Sequence, residues 1–270
     1  MIPQAEISRI ARRDGVQERV VEKDYALSWI LIALSVIDKQ SRMILKGGTA
    51  LRKVYLENYR YSEDLDFTVE TRVPPAEILA LFHRACDVAR SEVGIGLQVN
   101  DEVIPRQDRG MTFYIRYSGP LRAMIDRGEV KIDISWHELL VWPVQHRPLL
   151  KIFSDEPGKH PICVYSPQEI ITEKVRAILE PARCEPRDVF DLMNLSQHHD
   201  PGRFDIGSAL SRKAAFKGLD SGKLRKVIKK KRARYKKEWS GRLQYHLSPL
   251  PEFDHCWRQI ERFLRAESLI

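Results

Sequence analysis

Apolar residues recur with two different spacings along this chain, and the change of spacing divides it into a mixed region and a helical region. From about residue 7 to residue 37 they return every three or four positions with no proline between them, which predicts one long helix. Between residues 43 and 144, short alternating stretches predict strands. From Ser166 onward the spacing is helical again. We therefore expect an α+β fold: a mixed sheet with flanking helices in residues 1–160, followed by a C-terminal helical domain in residues 161–270.

Individual elements can be placed with the same reasoning. Strands are predicted at residues 43–45, 64–69, 96–103, 111–117, 130–135 and 139–144. Helices are predicted at residues 49–56, 75–93, 188–195, 205–216, 222–239 and 252–266. Thr49 is the expected N-cap of the first of these. Another helix, which carries Lys174, is expected to begin at Ser166, because a serine followed by Glu169 three positions later is a capping box.

Composition narrows the class of protein. Hydrophobic residues make up 43% of the 270 residues, which is enough for a sizeable core. No apolar run approaches the roughly 18 residues of a membrane helix, and the N-terminal stretch lacks the apolar segment of a secretory signal. We therefore expect a cytoplasmic protein with no membrane partner. The cysteines lie far apart and predict buried thiols rather than a zinc site or disulfides; they are Cys86, Cys163, Cys184 and Cys256.

Positive charge is concentrated in one segment. The formal net charge is +8, but residues 212–238 hold thirteen basic and two acidic side chains, so the remainder is slightly acidic. A solvated charged helix is the ordinary interpretation, yet the near absence of acidic residues favours binding to a phosphate backbone. The helix 222–239 could pack through an apolar stripe formed by Leu224, Val227, Ile228, Tyr235 and Trp239. The candidate RNA contacts are Lys226, Lys229, Lys230, Lys231, Arg232 and Arg234.

Two carboxylates on the strand 64–69 give the first chemical signal. Asp64 and Asp66 are two residues apart and should project from one face, with Leu65 and Phe67 on the other. Paired carboxylates suit a divalent metal such as magnesium. Upstream, Lys46-Gly47-Gly48-Thr49 lies between a strand and a helix, where glycines let backbone N–H groups approach a triphosphate. Each signal is weak alone, because acidic pairs and Gly-Gly turns also occur without such a function.

The order of these signals resembles a known family. The stretch KGGTALRKVYLENYRYSEDLDF, residues 46–67, is similar to the first motif of the AbiEii/AbiGii-type nucleotidyltransferase toxins, whose pattern is GGTAL, a short helix, then R-x-S-x-D-x-D-F. That family's amino-terminal helix is matched by VEKDYALSWIL at residues 21–31, and its later motifs by TEKVRAIL and RDVFDL. The toxins belong to the polymerase-β-like superfamily. The resemblance therefore implies a nucleotidyltransferase-like fold and metal-dependent transfer of a nucleoside monophosphate from an NTP.

The resemblance implies roles for three carboxylates of the sheet. Asp64 and Asp66 would bind Mg²⁺ (or Mn²⁺). Asp133, on the strand 130–135, has the location of the superfamily's third carboxylate, which serves as a base or metal ligand for the acceptor hydroxyl. A solvated strand aspartate is the alternative for Asp133. The guanidinium group of arginine can donate two parallel hydrogen bonds to phosphate oxygens. The residues expected to contact the nucleotide are Lys46, Gly47, Gly48, Thr49, Arg60 and Arg187.

The later motifs imply a second group of catalytic residues. Lys174, in the middle of its helix, could reach the triphosphate as a cation. Asp188 and Asp191 are three residues apart and so share one helix face, from which a carboxylate could bind the base or ribose or orient Lys174. Helix capping by Asp188 is the alternative.

The resemblance also implies a biological setting. Relatives of this type are toxins of bacterial toxin–antitoxin or phage-defence (abortive infection) systems, and several add nucleotides to the 3′ acceptor end of tRNA and so block translation. We therefore expect an NTP as substrate, tRNA or another RNA as acceptor, and a cognate antitoxin as protein partner. In some relatives the antitoxin phosphorylates the residue in the place of Ser62, which should share a face with Asp64. An ordinary hydrogen-bonding serine is the alternative.

Three other functions fit parts of the sequence. A small-molecule nucleotidyltransferase of the antibiotic-modifying sort would use the same motifs but not the basic segment. A metal-dependent nuclease could be built from Asp64 with Glu129-Val130-Lys131, but it leaves the paired glycines, Asp66 and Lys174 without a role. A noncatalytic nucleic-acid-binding protein would explain the lysines alone.

Overall fold

The computed structural model describes residues 1–40, 42–106, 109–121, 128–198 and 203–270, and it divides into two compact units. The first unit comprises Met1–Glu138 and Val144–Tyr165, and the second comprises Leu139–Pro143 and Ser166–Ile270. The first holds a seven-stranded mixed sheet with flanking helices, and the second is helical. The predicted α+β fold is therefore confirmed. The boundary expected at residue 160 falls before the last strand, which pairs within the first unit.

The first unit contains four helical elements and seven strands in the described residues. The helices are α1 (Gln4–Asp14), α2 (Glu18–Ile37), α3 (Gly47–Ala50, continued as a π-helix over Leu51–Tyr55) and α4 (Pro75–Val93). The strands are β1 (Ile44–Lys46), β2 (Asp64–Thr68), β3 (Gly96–Pro105), β4 (Gly110–Ser118), β5 (Gly128–Ser135), β6 (Gln145–Pro148) and β7 (Pro161–Val164). Their order in the sheet is β3-β4-β5-β2-β1-β7-β6.

The centre of this sheet has one apolar and one polar face. β2 runs parallel to β5 and antiparallel to β1, and β4 runs antiparallel to β5. On the apolar face Phe82 of α4 packs on Phe67 and Phe113, with ring centroids 6.0 and 5.0 Å away. The alternation predicted for β2 is confirmed, because Leu65 and Phe67 are buried whereas Asp64 and Asp66 are partly exposed. The four cysteines are buried free thiols, as expected.

The amino-terminal helix is interrupted, contrary to the prediction of one helix over residues 7–37. α1 ends at Gly15, which adopts a left-handed conformation with φ of 64° and whose N–H is bonded to the carbonyl of Ala11. Glycine accepts this conformation without the steric cost that a Cβ would add. α2 is buried over most of its length. In the part of the chain that the structure describes, no helix is long and apolar enough to cross a membrane.

The helix after β1 starts two residues earlier than predicted. It begins at Gly47, so Lys46 and not Thr49 occupies the N-cap position. Thr49 is buried, and its hydroxyl donates to the backbone carbonyl of Asp64 at 2.5 Å. This hydroxyl fastens the start of α3 to the start of β2, and contact of Thr49 with the nucleotide stays a prediction. The π-helical continuation over Leu51–Tyr55 is a form that often lies at functional sites.

The second unit is built from five helices in the residues described. They are α5 (Pro167–Leu179), α6 (Pro186–Gln197), α7 (Ile206–Phe216), α8 (Leu224–Leu243, preceded by a 3₁₀ turn at Ser221–Lys223) and α9 (Phe253–Ala266). Ser166 caps α5 as predicted, because its hydroxyl accepts the N–H of Glu169. The strand predicted at residues 139–144 is wrong. Backbone N–H groups of this irregular stretch, those of Val141 and Trp142, donate to the Glu169 carboxylate instead of to a sheet.

The basic helix α8 packs through a stripe that includes a lysine. Leu224, Ile228, Tyr235 and Trp239 are buried as predicted, and Lys231 lies in the same stripe with only 8% of its surface exposed. Its ammonium donates to the carbonyls of residues 178, 180 and 183. Residue 178 lies in the last turn of α5, and the other two lie in the segment that follows this helix. The prediction that Lys231 contacts RNA is therefore wrong. The ammonium satisfies these three carbonyl groups as a hydrogen-bond donor.

Candidate active site

Strand register brings the predicted residues of the first unit onto one face of the sheet. Asp66 on β2 lies between Lys46 on β1 and Asp133 on β5. The neighbouring row places Asp64 beside Lys131 on β5. Residues paired across adjacent strands project to the same side. Asp133, which is distant in sequence, therefore shares one polar surface with Asp64 and Asp66.

The paired glycines mark the two places where side chains of this surface press against the start of α3. Gly47 has a φ of 74°, and a Cβ there would lie 2.8 Å from an Asp66 carboxylate oxygen. A Cβ on Gly48 would lie 2.5 Å from a guanidinium nitrogen of Arg60 and 3.3 Å from the hydroxyl oxygen of Ser62. The positive φ favours glycine at position 47, and at both positions a Cβ would require the Asp66 or Arg60 side chain to move. The motif K-G-G-T and the motif R-x-S-x-D-x-D are thus one spatial unit.

The substitution Gly47→Ala tests the contact between Gly47 and Asp66, and Gly94→Ala is the control at another glycine with a positive φ. We expect Gly47→Ala to lower nucleotidyl transfer more than tenfold, because the new Cβ forces the Asp66 carboxylate away, and to cost about 1–2 kcal/mol of stability for the positive φ. Gly94 has a similar φ of 72° and no atom within 4 Å of the Cβ it would gain. Gly94→Ala should therefore cost similar stability in urea unfolding and leave activity within twofold. Equal losses of activity in both variants would contradict the assigned contact.

Asp133 is held by three donors from three parts of the sheet. Lys131 donates to one carboxylate oxygen at 2.7 Å. The hydroxyl of Thr112 donates to the other oxygen, with the Arg106 guanidinium 3.5 Å from it. The interpretation of Asp133 as a solvated strand residue is therefore wrong, because its side chain is only 12% exposed. Its predicted role as base or metal ligand stays a prediction.

Lys131 is a functional candidate that the motif comparison missed. Partial burial would lower the pKa of Lys131, but the hydrogen bond to Asp133 and the negative charges of Asp133, Asp64 and Asp66 outweigh burial and raise it. Lys131 therefore lies within the electrostatic field of the whole carboxylate group. The signal was present in the sequence, because Lys131 and Asp133 alternate on one strand face.

A buried ion cluster fixes the segment that precedes the carboxylates. Asp24 of α2 is fully buried. Its carboxylate accepts two hydrogen bonds from the Arg52 guanidinium, at 2.8 and 3.1 Å, and lies 2.9 Å from the ammonium of Lys53. The guanidinium of Arg52 also stacks 3.6 Å from the ring centroid of Tyr61, whose hydroxyl donates to Asp14. Burial would raise the pKa of Asp24, but the two cations lower it. The π-helical turn and the loop that leads to Ser62 are thereby anchored to α2.

The donor set indicates what kind of metal site this face could form. Within the described ranges, no three acidic, histidine or cysteine side chains come together as a group that could hold a metal ion. Asp64 and Asp66 are the paired carboxylates of β2, and Asp133 binds Lys131. Magnesium is commonly held by one or two carboxylates together with substrate phosphates. Asp64 and Asp66 therefore fit Mg²⁺ that is bound with the phosphates of a nucleotide.

The second unit brings its three predicted residues together. The ammonium of Lys174 lies 2.7 Å from a carboxylate oxygen of Asp188 and 2.7 Å from one of Asp191. Arg183, which sequence reasoning missed, donates to the second oxygen of Asp188 at 2.9 Å. Burial would raise the pKa of Asp188, but Lys174 and Arg183 hold it below its ordinary value. The shared helix face of the two aspartates therefore does orient Lys174, and the four charges balance.

The remaining predicted nucleotide contacts lie in polar surroundings. Lys46 is 3.4 Å from the Glu138 carboxylate and 19% exposed. Arg60 is buried and donates to the carbonyl of Tyr61. In the second unit Arg187 pairs with Glu185 at 3.1 Å. Contact of these cations with a nucleotide stays a prediction.

Sequence comparison now identifies the family. Residues 29–261 match the family described as nucleotidyl transferase AbiEii toxin, type IV toxin–antitoxin system. The chain belongs to the AbiEii family. It is accordingly a nucleotidyltransferase and a toxin of a toxin–antitoxin system, and the family inferred from the motifs is confirmed. The nuclease and the noncatalytic binding protein are thereby set aside. No curated protein sequence matches the chain.

Several solved structures share the fold of this AbiEii protein. MenT4, a nucleotidyltransferase toxin from Mycobacterium tuberculosis H37Rv, aligns with a TM-score of 0.68 at 17% identity, over 99% of this chain and 90% of that one. JHP933 from Helicobacter pylori aligns with a TM-score of 0.59 at 21% identity, over 94% of this chain and 93% of that one. At these identities the likeness establishes the fold, including the helices after the sheet.

Proposed function

We propose that this AbiEii protein transfers a nucleoside monophosphate from an NTP to RNA, and that the acceptor is the 3′ end of tRNA. The observation that carries the proposal is the single polar face on which Asp64, Asp66 and Asp133 meet beside the glycine turn at Gly47 and Gly48. Modified tRNA could not be aminoacylated, so translation would stop. This outcome is consistent with a toxin.

The proposed reaction is an in-line displacement at phosphorus. The 3′ hydroxyl oxygen of the acceptor attacks the α-phosphorus of the NTP, the bond from that phosphorus to the bridging oxygen breaks, and pyrophosphate leaves. The hydroxyl proton goes to a carboxylate of the polar face, for which Asp133 is the candidate. Such chemistry needs positioning and charge neutralisation rather than a covalent intermediate.

Asp64 and Asp66 would hold Mg²⁺ or Mn²⁺, which neutralises charge on the triphosphate when it is bound. In the second unit, Lys174 is the proposed catalytic cation. The carboxylates of Asp188 and Asp191 hold its ammonium in one place, so the side-chain entropy lost on binding would be small.

Exposed cations on α8 support an anionic acceptor. Lys226, Lys229 and Lys230 are exposed. Arg232 and Arg234 are exposed too, although each pairs with a carboxylate, Arg232 at 2.6 Å and Arg234 at 2.9 Å. A row of lysines on one helix suits the phosphate backbone of RNA, which is recognised by shape and charge.

Charge reversal on α8 tests this surface. We expect the double variant Lys229→Glu and Lys230→Glu to weaken tRNA binding at least about tenfold and to lower the slope of log affinity against log salt by about two. The matched control reverses Arg9 and Arg12, two exposed cations on α1. Binding measured by fluorescence anisotropy over a salt series should be nearly unchanged in the control. Equal weakening by both double variants would mean that only net charge matters.

A transfer assay tests the proposed reaction itself. The protein is incubated with bulk tRNA, magnesium and each labelled NTP in turn. Label on intact tRNA is the expected result. Label on an antibiotic-type small molecule and none on tRNA would favour the small-molecule nucleotidyltransferase, and shortened RNA would favour a nuclease; either result would overturn the proposed acceptor.

Control of the toxin by its antitoxin is proposed to act at Ser62. Its hydroxyl lies at the glycine turn, next to Gly48. A phosphate there would add about two negative charges beside the carboxylates and block the path of the triphosphate. The intact mass of toxin produced together with its antitoxin would reveal the modification. We further propose that the pair acts in the cytoplasm, where tRNA is found, and serves in phage defence.

A further inference from the structure

Beyond Asp133, the polar face of the sheet continues toward β4 and β3 and carries cationic side chains. Lys131, Arg106 and Arg116 reach this part of the face, and their side chains are 37%, 50% and 41% exposed. Glu129 lies 3.4 Å from Arg116 and balances it in part. Among Lys131, Arg106, Arg116, Asp133 and Glu129, the cations outnumber the carboxylates by one. Asp64 and Asp66 lie on the other side of Asp133 and Lys131, on β2.

Asp133 fixes two cations where these two parts of the face meet. Lys131 comes from β5 and binds one carboxylate oxygen, while Arg106 follows the end of β3 and approaches the other. The hydroxyl of Thr112, on the strand between them, completes the arrangement. One carboxylate that holds two cations leaves a net positive charge and several N–H donors. That combination is suited to a phosphate group.

An aromatic ring lies next to this pair. Tyr114 on β4 is the register partner of Lys131, shares the polar face, and is partly exposed. Flat aromatic rings beside cations bind unpaired bases of single-stranded nucleic acid, whatever their sequence.

We propose that Lys131, Arg106 and Tyr114 form the acceptor subsite of this enzyme and bind the unpaired 3′ end of an RNA strand. A backbone phosphate lies between the two cations, and a terminal base stacks on the tyrosine ring. The proposal rests on the proposed function for the identity of the reaction. It assigns the acceptor to the cationic part of the face and the nucleotide to the part with Asp64 and Asp66.

The test compares two forms of one tRNA, intact and trimmed of its unpaired 3′ nucleotides. Wild-type protein should bind the intact form more tightly. Lys131→Met and Tyr114→Ala should each weaken binding of the intact form by about 5- to 10-fold and leave the trimmed form unchanged, so the preference disappears. Tyr114→Phe keeps the ring and should retain the preference. Arg84→Ala removes an exposed cation from α4, whose Phe82 packs on the opposite face, and should change neither affinity.

In steady-state transfer, the KM for tRNA should rise in Lys131→Met and Tyr114→Ala while the KM for NTP stays constant. The subsite would be overturned if Lys131→Met and Tyr114→Ala still preferred intact tRNA as strongly as the wild type does. It would also be overturned if the wild type showed no preference for intact tRNA. Binding is measured without turnover, so it does not depend on the transfer assay. Absence of transfer by the wild type would overturn the proposed function alone. If Lys131→Met does not fold, the comparison of Tyr114→Ala with Tyr114→Phe still tests the subsite.

Discussion

Asp64→Asn is expected to reduce nucleotidyl transfer by at least about 10³-fold, which corresponds to about 4 kcal/mol of lost transition-state stabilisation. The substitution keeps the size of the side chain and removes its charge, so the loss would come from metal and phosphate binding rather than from packing. Because Asp64 is partly exposed at the edge of β2, stability should change by less than about 1 kcal/mol. Single-turnover transfer with saturating NTP is the measurement.

The control for Asp64→Asn is Asp101→Asn. Asp101 also lies in the sheet, on β3, but it is 70% exposed and pairs with His83. Its loss should change transfer by less than threefold, and tRNA binding should be normal in both variants. Transfer within tenfold of wild type in Asp64→Asn would remove Asp64 from the reaction.

Asp24→Ala is expected to lower the free energy of unfolding by about 3–5 kcal/mol, because it leaves the ammonium of Lys53 and the fork of Arg52 buried without their carboxylate. Urea unfolding followed by circular dichroism measures this loss. The matched control is Asp87→Ala, which breaks an exposed pair with Arg90 at 3.0 Å. Exposed pairs contribute about 0–1 kcal/mol. Similar losses in both variants would contradict a structural role for the buried cluster.

The pH dependence of stability gives a second measurement of the same cluster. The folded-state pKa of Asp24 lies below the ordinary aspartate value of 3.8. Its stabilising contribution is therefore fully present above that value and is lost as the pH falls through the lower, folded-state pKa. In Asp24→Ala this part of the acid-induced loss should disappear.

The pattern of residues along the chain was sufficient to predict those elements whose structure depends on neighbouring residues. The alternation of Asp64, Leu65, Asp66 and Phe67 predicted the strand and its two faces, and the Ser166 cap predicted the start of α5. The pairing of β2 with β5 could not be predicted from either strand alone, because it depends on packing between distant parts of the chain. The family resemblance placed Asp133 with the first two aspartates, but motif spacing did not place Lys131 beside them.

Two of the errors share a cause, since in each a distant partner overrides the local signal. Thr49 looks like an N-cap but donates to the carbonyl of Asp64. Lys231 looks like one of many surface lysines, yet it lies three residues after Ile228 and four before Tyr235, in the buried stripe. That spacing was visible in the sequence. What the sequence could not supply was the row of carbonyl groups at the end of α5 that makes burial of an ammonium favourable.

The shared register of β1, β2 and β5 links the chemistry of this toxin to the correctness of its folding. If β2 slipped by one residue, Asp64 and Asp66 would turn into the apolar core, and Leu65 and Phe67 would face water. Such a chain would lose its core and its carboxylate face together. Folding errors in this part of the sheet would therefore yield inactive protein, and not a toxin with altered specificity.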